Sequence, residues 1–167
     1  MSFQLETVKS PLGPITMAYG SEGLLALQFD EGEPPLEERL QRSHPGAVWN
    51  RVKGPSEIAR ALRSYFEGDL SALARLPVAA RGTDFQQQVW TRLRNLNPGE
   101  TTSYGALARQ MGRPKAVRAV GSANALNPIA LVVPCHRVLA SDGSLHGYAY
   151  GLERKAWLLR HEGIRLP

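Results

Sequence analysis

Apolar and polar positions change period along the chain, and the change divides it into two parts. The opening third is punctuated by glycine and proline at short intervals. A first extended run precedes the Ser10-Pro11-Leu12-Gly13-Pro14 turn, a second covers Ile15 to Tyr19, and a third covers Leu24 to Phe29 after a Gly20-Ser21-Glu22-Gly23 turn. Such a pattern predicts a three-strand antiparallel meander. Helical spacing follows. PLEERLQRS is short and mostly polar, whereas SEIARALRSYFEG starts at a Ser56 cap, carries Ile58, Leu62, Tyr65 and Phe66 at 3- to 4-residue spacing, and stops at Gly68.

The part beyond residue 81 reads as mostly helical. Thr83 caps a helix whose Phe85, Val89, Leu93 and Leu96 form one stripe, ending at Asn97-Pro98-Gly99. A short helix capped at Ser103 comes next, then a Gly112-Arg113-Pro114 break, then a second helix from about Lys115 with Pro114 in its first turn. This is helix-turn-helix grammar. Ala116, Val117, Ala119, Gly121, Ser122 and Ala123 are small enough for the second helix to press its backbone against a duplex, although an ordinary packed pair of helices has the same pattern. The expected fold is therefore α+β: residues 1–81 form a small antiparallel sheet with helices, and residues 82–167 form a mostly helical domain with a winged-helix-like hairpin.

Charge sharpens this division. Residues 1–81 hold nine Lys/Arg against ten Asp/Glu, net −1, while residues 82–167 hold eleven against five, net +6. Between 101 and 141 there is no acidic side chain, yet Arg109, Arg113, Lys115, Arg118 and Arg137 all lie there. A polyanion is the natural partner of such a surface, and a merely solvated basic face is the alternative. The N-terminus lacks a basic segment followed by an apolar one, and no stretch reaches the roughly 18 to 20 apolar residues a membrane span requires. With one cysteine and four histidines in 167 residues, neither an intramolecular disulfide nor a zinc cluster is expected. No membrane partner, no metal and a reducing cytoplasmic setting, nucleoid-associated if bacterial, are the expectations.

The only cysteine lies in VVPCHRVL, residues 132–139. Buried cysteine is commonly a small hydrophobe, which is one reading of Cys135. The other is a nucleophile, because His136 and Arg137 set an imidazole and a cation beside the thiol and Pro134 interrupts the strand. In an extended strand Cys135 and His136 would point to opposite faces, so a working pair requires a turn at Pro134 or a bridging water. A lone thiol next to a DNA-binding hairpin suits direct alkyl transfer, since sulfur can attack a carbon attached to a base oxygen and form a stable thioether without cofactor. A hydrolase would have to regenerate the thiol and supply an oxyanion hole, for which no glycine-rich donor loop is evident.

Several short stretches together carry a resemblance. Pro134-Cys-His-Arg-Val138, the upstream Ser103-Tyr-Gly and Arg118-Ala-Val-Gly segments, Asn127-Pro128, Gly147-Tyr148 and the RKxWLLxHEG ending at 154–163 resemble the O6-alkylguanine-DNA alkyltransferase family over residues 83–163. Residues 1–81 resemble its variable N-terminal domain in outline. The cysteine sets the chain apart from the alkyltransferase-like binding proteins of similar sequence, which typically carry tryptophan there. The resemblance implies that Cys135 accepts the alkyl group from O6 of guanine, with O4 of thymine a second candidate, in one irreversible turnover on a flipped base. It further implies that His136 takes the thiol proton through a water, that Glu162 orients the imidazole, and that Tyr104 donates its hydroxyl to the base. Arg118 would fill the gap left in the duplex. Lys115 and Ser122 would join it in contacting DNA. Backbone carbonyls of Cys135 and Val138 would read the exocyclic amine and the Ala149 amide the O6 atom, with Tyr148 as a pocket wall and Asn127 bracing the turn before the cysteine.

Tyr150 departs from that family's common glycine, placing a phenol near the pocket rim. Duplex DNA carrying O6-alkylguanine is the expected partner of a monomer, with clustering along DNA as a variant. No cofactor is expected. A DNA-binding damage sensor or regulator without transfer chemistry is the alternative function.

Overall fold

The structure is a computed structural model that describes residues 1–30 and 34–167. It divides into two compact units, one comprising residues 1–81 with 128–130 and the other residues 82–127 with 131–167.

The first unit is built on a four-strand sheet in the order β3-β2-β1-β4, formed by β1 (Ser2–Val8), β2 (Ile15–Gly20), β3 (Gly23–Phe29) and β4 (Val48–Arg51). Gly13, at φ +106°, closes the first turn, with its N–H on Ser10 O at 3.1 Å, so β1 and β2 pair antiparallel from Val8↔Ile15 to Gln4↔Tyr19. The meander is present as the periodicity predicts, but the sheet is mixed. β4 joins β1 in parallel, Ser2↔Val48 to Leu5↔Arg51. This strand escapes a sequence reading because it spans four residues, Val-Trp-Asn-Arg, and three of them are exposed. All seven residues of β3 are buried although it is terminal in the order, because backbone at 77–79 and 128–130 bonds to Leu24 and Leu27 and covers its open edge. Helix α1 (Leu36–Leu40) packs Leu36 and Leu40 against Leu5, Ala18, Leu25 and Ala26. Helix α2 (Glu57–Phe66) starts at Ser56, whose Oγ accepts the Ala59 N–H at 3.1 Å, and buries Ala59, Leu62 and Tyr65.

The second unit opens with α3 (Asp84–Arg94). Thr83 and Gln86 cap it reciprocally, Thr83 Oγ1 accepting from the Gln86 N–H and Gln86 Oε1 from the Thr83 N–H. Its buried residues are Val89, Trp90 and Leu93, and the Trp90 indole donates to Ala123 O at 2.9 Å. The two-residue strands β5 (Thr102–Ser103) and β6 (Val138–Leu139) pair in parallel. Helix α4 (Tyr104–Gln110) is capped by Ser103, and α5 (Val117–Ala125) follows. The second helix thus begins at Val117 and not near Lys115. Gly112 at φ +69°, the Arg113 N–H on Ala108 O and the Ala116 N–H on Arg113 O form a turn that consumes Pro114 and Lys115 before helical geometry starts. The chain ends with α6 (Leu152–His161), which buries Lys155, Leu158 and Leu159 on one face, with Glu162 at its C-cap. Among the described residues no helix is long and apolar enough to cross a membrane.

Candidate active site

The segment carrying the thiol is not extended. Leu131 holds the left-handed region at φ +69°, an uncommon place for a branched side chain, and Asn127 Nδ2 donates to Val133 O at 2.8 Å across the same bend. After Pro134 the chain makes a single 3-10 turn, Cys135–Arg137, closed by the Arg137 N–H on Pro134 O at 3.0 Å. Cys135 and His136 therefore need not face opposite ways as they would in a strand. Residues 131–139 are all buried, with Cys135 7% and His136 0% exposed.

His136 Nε2 meets Glu162 Oε2 at 2.8 Å, which assigns the ring proton to Nε2 and leaves the buried Nδ1 as an acceptor with no hydrogen-bond partner. Arg137 grips the same carboxylate with both prongs, Nε to Oε1 at 2.7 Å and Nη2 to Oε2 at 3.0 Å, and spends its third donor on Leu96 O at 2.7 Å. Burial opposes a charge on Glu162, but the hydrogen bonds from His136 and Arg137 outweigh it and hold the carboxyl at about 2. Burial lowers the pKa of His136 despite Glu162, so the ring is neutral at rest. Burial likewise pushes the Cys135 thiol up, against a hydrogen bond from the Asn127 side chain and the charge of Lys155. The adjacent cation does not activate the sulfur, because Arg137 is committed to Glu162. A protonated thiol beside a neutral imidazole needs a proton transfer before sulfur can attack.

Cys135 lies in a cavity of about 390 Å³, within the range of small-molecule sites. Tyr104, Asn124, Asn127, Tyr148, Ala149 and Tyr150 are among the other residues lining it. The Tyr148 and Tyr150 rings meet edge to face, centroids 5.7 Å apart. Burial and the charge of Cys135 raise the pKa of Tyr104, whose hydroxyl donates to His146 O at 3.0 Å.

Of the residues singled out in the sequence, Cys135, Asn127, Tyr104, Tyr148 and Ala149 share this cavity, and His136, next to the cysteine in the 3-10 turn, is bonded to Glu162. Val138 does not line it. Its carbonyl accepts Lys155 Nζ at 2.6 Å, leaving one of two lone pairs for any other donor. Arg118 and Ser122 are exposed on α5, and Lys115 is exposed in the turn before it. Sequence reasoning passed over Arg137 as a partner of Glu162, and also Asn124 and Lys155. The spacing 155, 158, 159, 162 could have found Lys155, since it sets a lysine and a glutamate on the apolar face of a terminal helix. Among the described residues no group of three or more His, Cys, Asp or Glu could hold a metal ion.

Comparison with known proteins covers both units. A family profile described as 6-O-methylguanine DNA methyltransferase, ribonuclease-like domain, matches residues 5–80, and one described as the DNA binding domain of the same protein matches residues 84–164. The methylated-DNA–protein-cysteine methyltransferase of Shigella flexneri is 43% identical over 164 residues, 96% of each chain. The protein of that name from Methanosarcina acetivorans is 43% identical over 93% of this chain and 95% of its own. Among solved structures, Mycobacterium tuberculosis O6-methylguanine methyltransferase superposes with a TM-score of 0.82 at 41% identity, covering 99% of this chain and 95% of that one. A Mycobacterium tuberculosis OGT in complex with DNA gives 0.81 at 41% identity, covering 95% and 92%. Identity at this level across nearly the whole length, on the same α+β fold, means that the chain belongs to the 6-O-methylguanine DNA methyltransferase family.

Proposed function

We propose that this protein moves a methyl or other alkyl group from O6 of guanine in duplex DNA onto Sγ of Cys135, once per molecule, after the base has turned out of the helix. The observation that carries this reading is a single buried thiol in a cavity large enough for a base, next in the chain to a histidine whose one nitrogen is bound to a carboxylate and whose other is open to accept a proton. The proton of Cys135 passes through a water to His136 Nδ1, and Glu162 stabilises the cation formed. Sγ then attacks the alkyl carbon, the carbon–O6 bond breaks, and guanine leaves with the electron pair and regains one proton. Tyr104, kept protonated, turns its hydroxyl from His146 O to the base and stabilises the developing negative charge. Because the product is a thioether, nothing restores the thiol.

Arg118, exposed on α5, enters the duplex in place of the extruded base, and Lys115 and Ser122 contact its backbone. The Ala149 amide meets O6, and the Cys135 carbonyl and the remaining lone pair of Val138 O receive the exocyclic amine. The protein acts as a monomer on double-stranded DNA in a reducing, cytoplasmic setting that keeps its thiol unoxidised. Intact-mass measurement with excess duplex containing O6-methylguanine tests the proposal. One methyl group should be gained, at Cys135, and no more. Cys135→Ala should bind the duplex and gain nothing. Binding without any mass change in the wild type would leave a damage sensor, and repeated turnover would end the single-use mechanism.

A further inference from the structure

Lys155 is a lysine with 0% exposure, and the chemistry above assigns it no task. Its place on α6 follows from the spacing that also buries Leu158, Leu159 and Glu162. A buried ammonium must have its donors satisfied, and this one spends all three on backbone carbonyls: Val138 O at 2.6 Å, Gly147 O at 3.0 Å and His146 O at 3.1 Å. Val138 directly follows the turn that carries the thiol, while residues 146–147 belong to the cavity rim. One cation therefore ties the nucleophile's segment to the 146–147 part of the cavity lining. Its third acceptor is shared, since His146 O also receives the Tyr104 hydroxyl at 3.0 Å.

From this sharing we infer that Lys155 is the positioning residue that lets Tyr104 change partners, holding the His146 carbonyl while the Tyr104 hydroxyl turns to a base in the cavity. The inference rests on the reading of Tyr104 given above. With Lys155 in place, departure of the hydroxyl leaves His146 O one donor and the rim stays where it was. Without it, Tyr104 is the carbonyl's remaining donor and the switch costs a hydrogen bond. Burial lowers the pKa of Lys155 to about 8, so at pH 7 the group is still mostly the three-donor ammonium that the three carbonyls require.

Single-turnover transfer rates at saturating methylated duplex, for wild type, Tyr104→Phe, Lys155→Met and the double variant, test this coupling. Each single change should slow transfer about tenfold, the worth of one hydrogen bond at the upper end of its range. The double variant should be no slower than Lys155→Met by more than about twofold, with duplex affinity equal in all four. Losses that multiply to about a hundredfold would make Lys155 a structural cation and overturn the inference. An unchanged rate for Tyr104→Phe would instead remove the Tyr104 reading and this inference with it. Should Lys155→Met fail to fold, nitrogen NMR of the lysine ammonium groups in Cys135→Ala decides. The Lys155 protons should stay protected from exchange when methylated duplex binds, and their becoming labile would mean that Lys155 releases the rim together with Tyr104.

Discussion

Tyr150 stands where size and stickiness pull in opposite directions. Its ring meets Tyr148 edge to face at 5.7 Å on the wall of the cavity, and its backbone carbonyl accepts Arg154 Nη1 at 3.1 Å. In the proposed reaction a methyl group on O6 need only meet the sulfur of Cys135, whereas a larger group must find further room in the same cavity. A benzyl group that meets these two phenols is displaced by them, and misplacing its reacting carbon by about 1 Å can cost on the order of 100-fold in rate. Against that, an aromatic face can contribute about 0.5 to 1.5 kcal/mol by stacking. Crowding is the larger effect on these magnitudes. Tyr150→Gly should accelerate debenzylation at least about tenfold relative to demethylation, a fraction of the misplacement penalty. Second-order rates of both adducts with both proteins give the answer, and a glycine variant slower on the benzyl adduct would make Tyr150 a stacking platform.

Under the proposed function, helix α5 is the element on which holding a duplex and opening it can be told apart. Its exposed face carries Arg118 and Ser122 among small residues, while Val120, Ala123 and Asn124 are buried beneath, with Trp90 of α3 bonded to the Ala123 carbonyl. A side chain that holds open the place of an extruded base offsets an unstacking cost of a few kcal/mol, a cost that exists only in a duplex. Arg118→Ala should therefore slow repair of double-stranded DNA on the order of ten- to a hundredfold more than repair of a single strand carrying the same lesion. Equal losses would reduce Arg118 to general electrostatics. This helix also marks where the sequence stops being legible. Caps at Ser56, Thr83 and Ser103 are local chemistry and could be read directly, as could the meander's turns. The start of α5 could not, because Pro114 suits both a first helical turn and the turn that in fact precedes it, and only tertiary packing chooses. β4 and the 3-10 turn at Cys135 were hidden for a related reason. Each is under five residues long, and its side chains or backbone meet partners far away in the chain, a pairing with β1 in one case and the grip of Arg137 on Glu162 at the C-cap of α6 in the other. In the site, residue types with a known chemical use were visible, whereas Arg137 and Lys155 depend on what they touch.

At the scale of the whole molecule, the buried cluster of His136, Arg137 and Glu162 links stability to pH. Glu162 is held at about 2 against an ordinary value of 4.5, and His136 below its ordinary 6.5. Both groups have folded-state values beneath their unfolded ones, so each contributes stability that is present above its unfolded pKa and is lost as pH falls toward its folded one. The first loss begins below pH 6.5, where an unfolded histidine takes up a proton that the buried ring resists. The second begins below 4.5, where unfolded Glu162 is protonated but the native carboxylate, gripped by His136 and Arg137, is not. The carboxylate's share is on the order of 3 kcal/mol, enough to unfold a marginal domain in acid. Urea denaturation of the wild type should give a plateau near neutrality, a shallow decline below pH 6.5 and a steeper one between 4.5 and 2. Glu162→Gln should be less stable at pH 7, since it leaves Arg137 buried without its counter-charge, and should lose the steep segment. The same substitution should slow methyl transfer at pH 7, because the cation formed on His136 loses its partner. If the two denaturation curves run parallel from pH 7 to 3, the folded carboxyl of Glu162 titrates where the unfolded one does, and the grip of His136 and Arg137 adds nothing to acid stability.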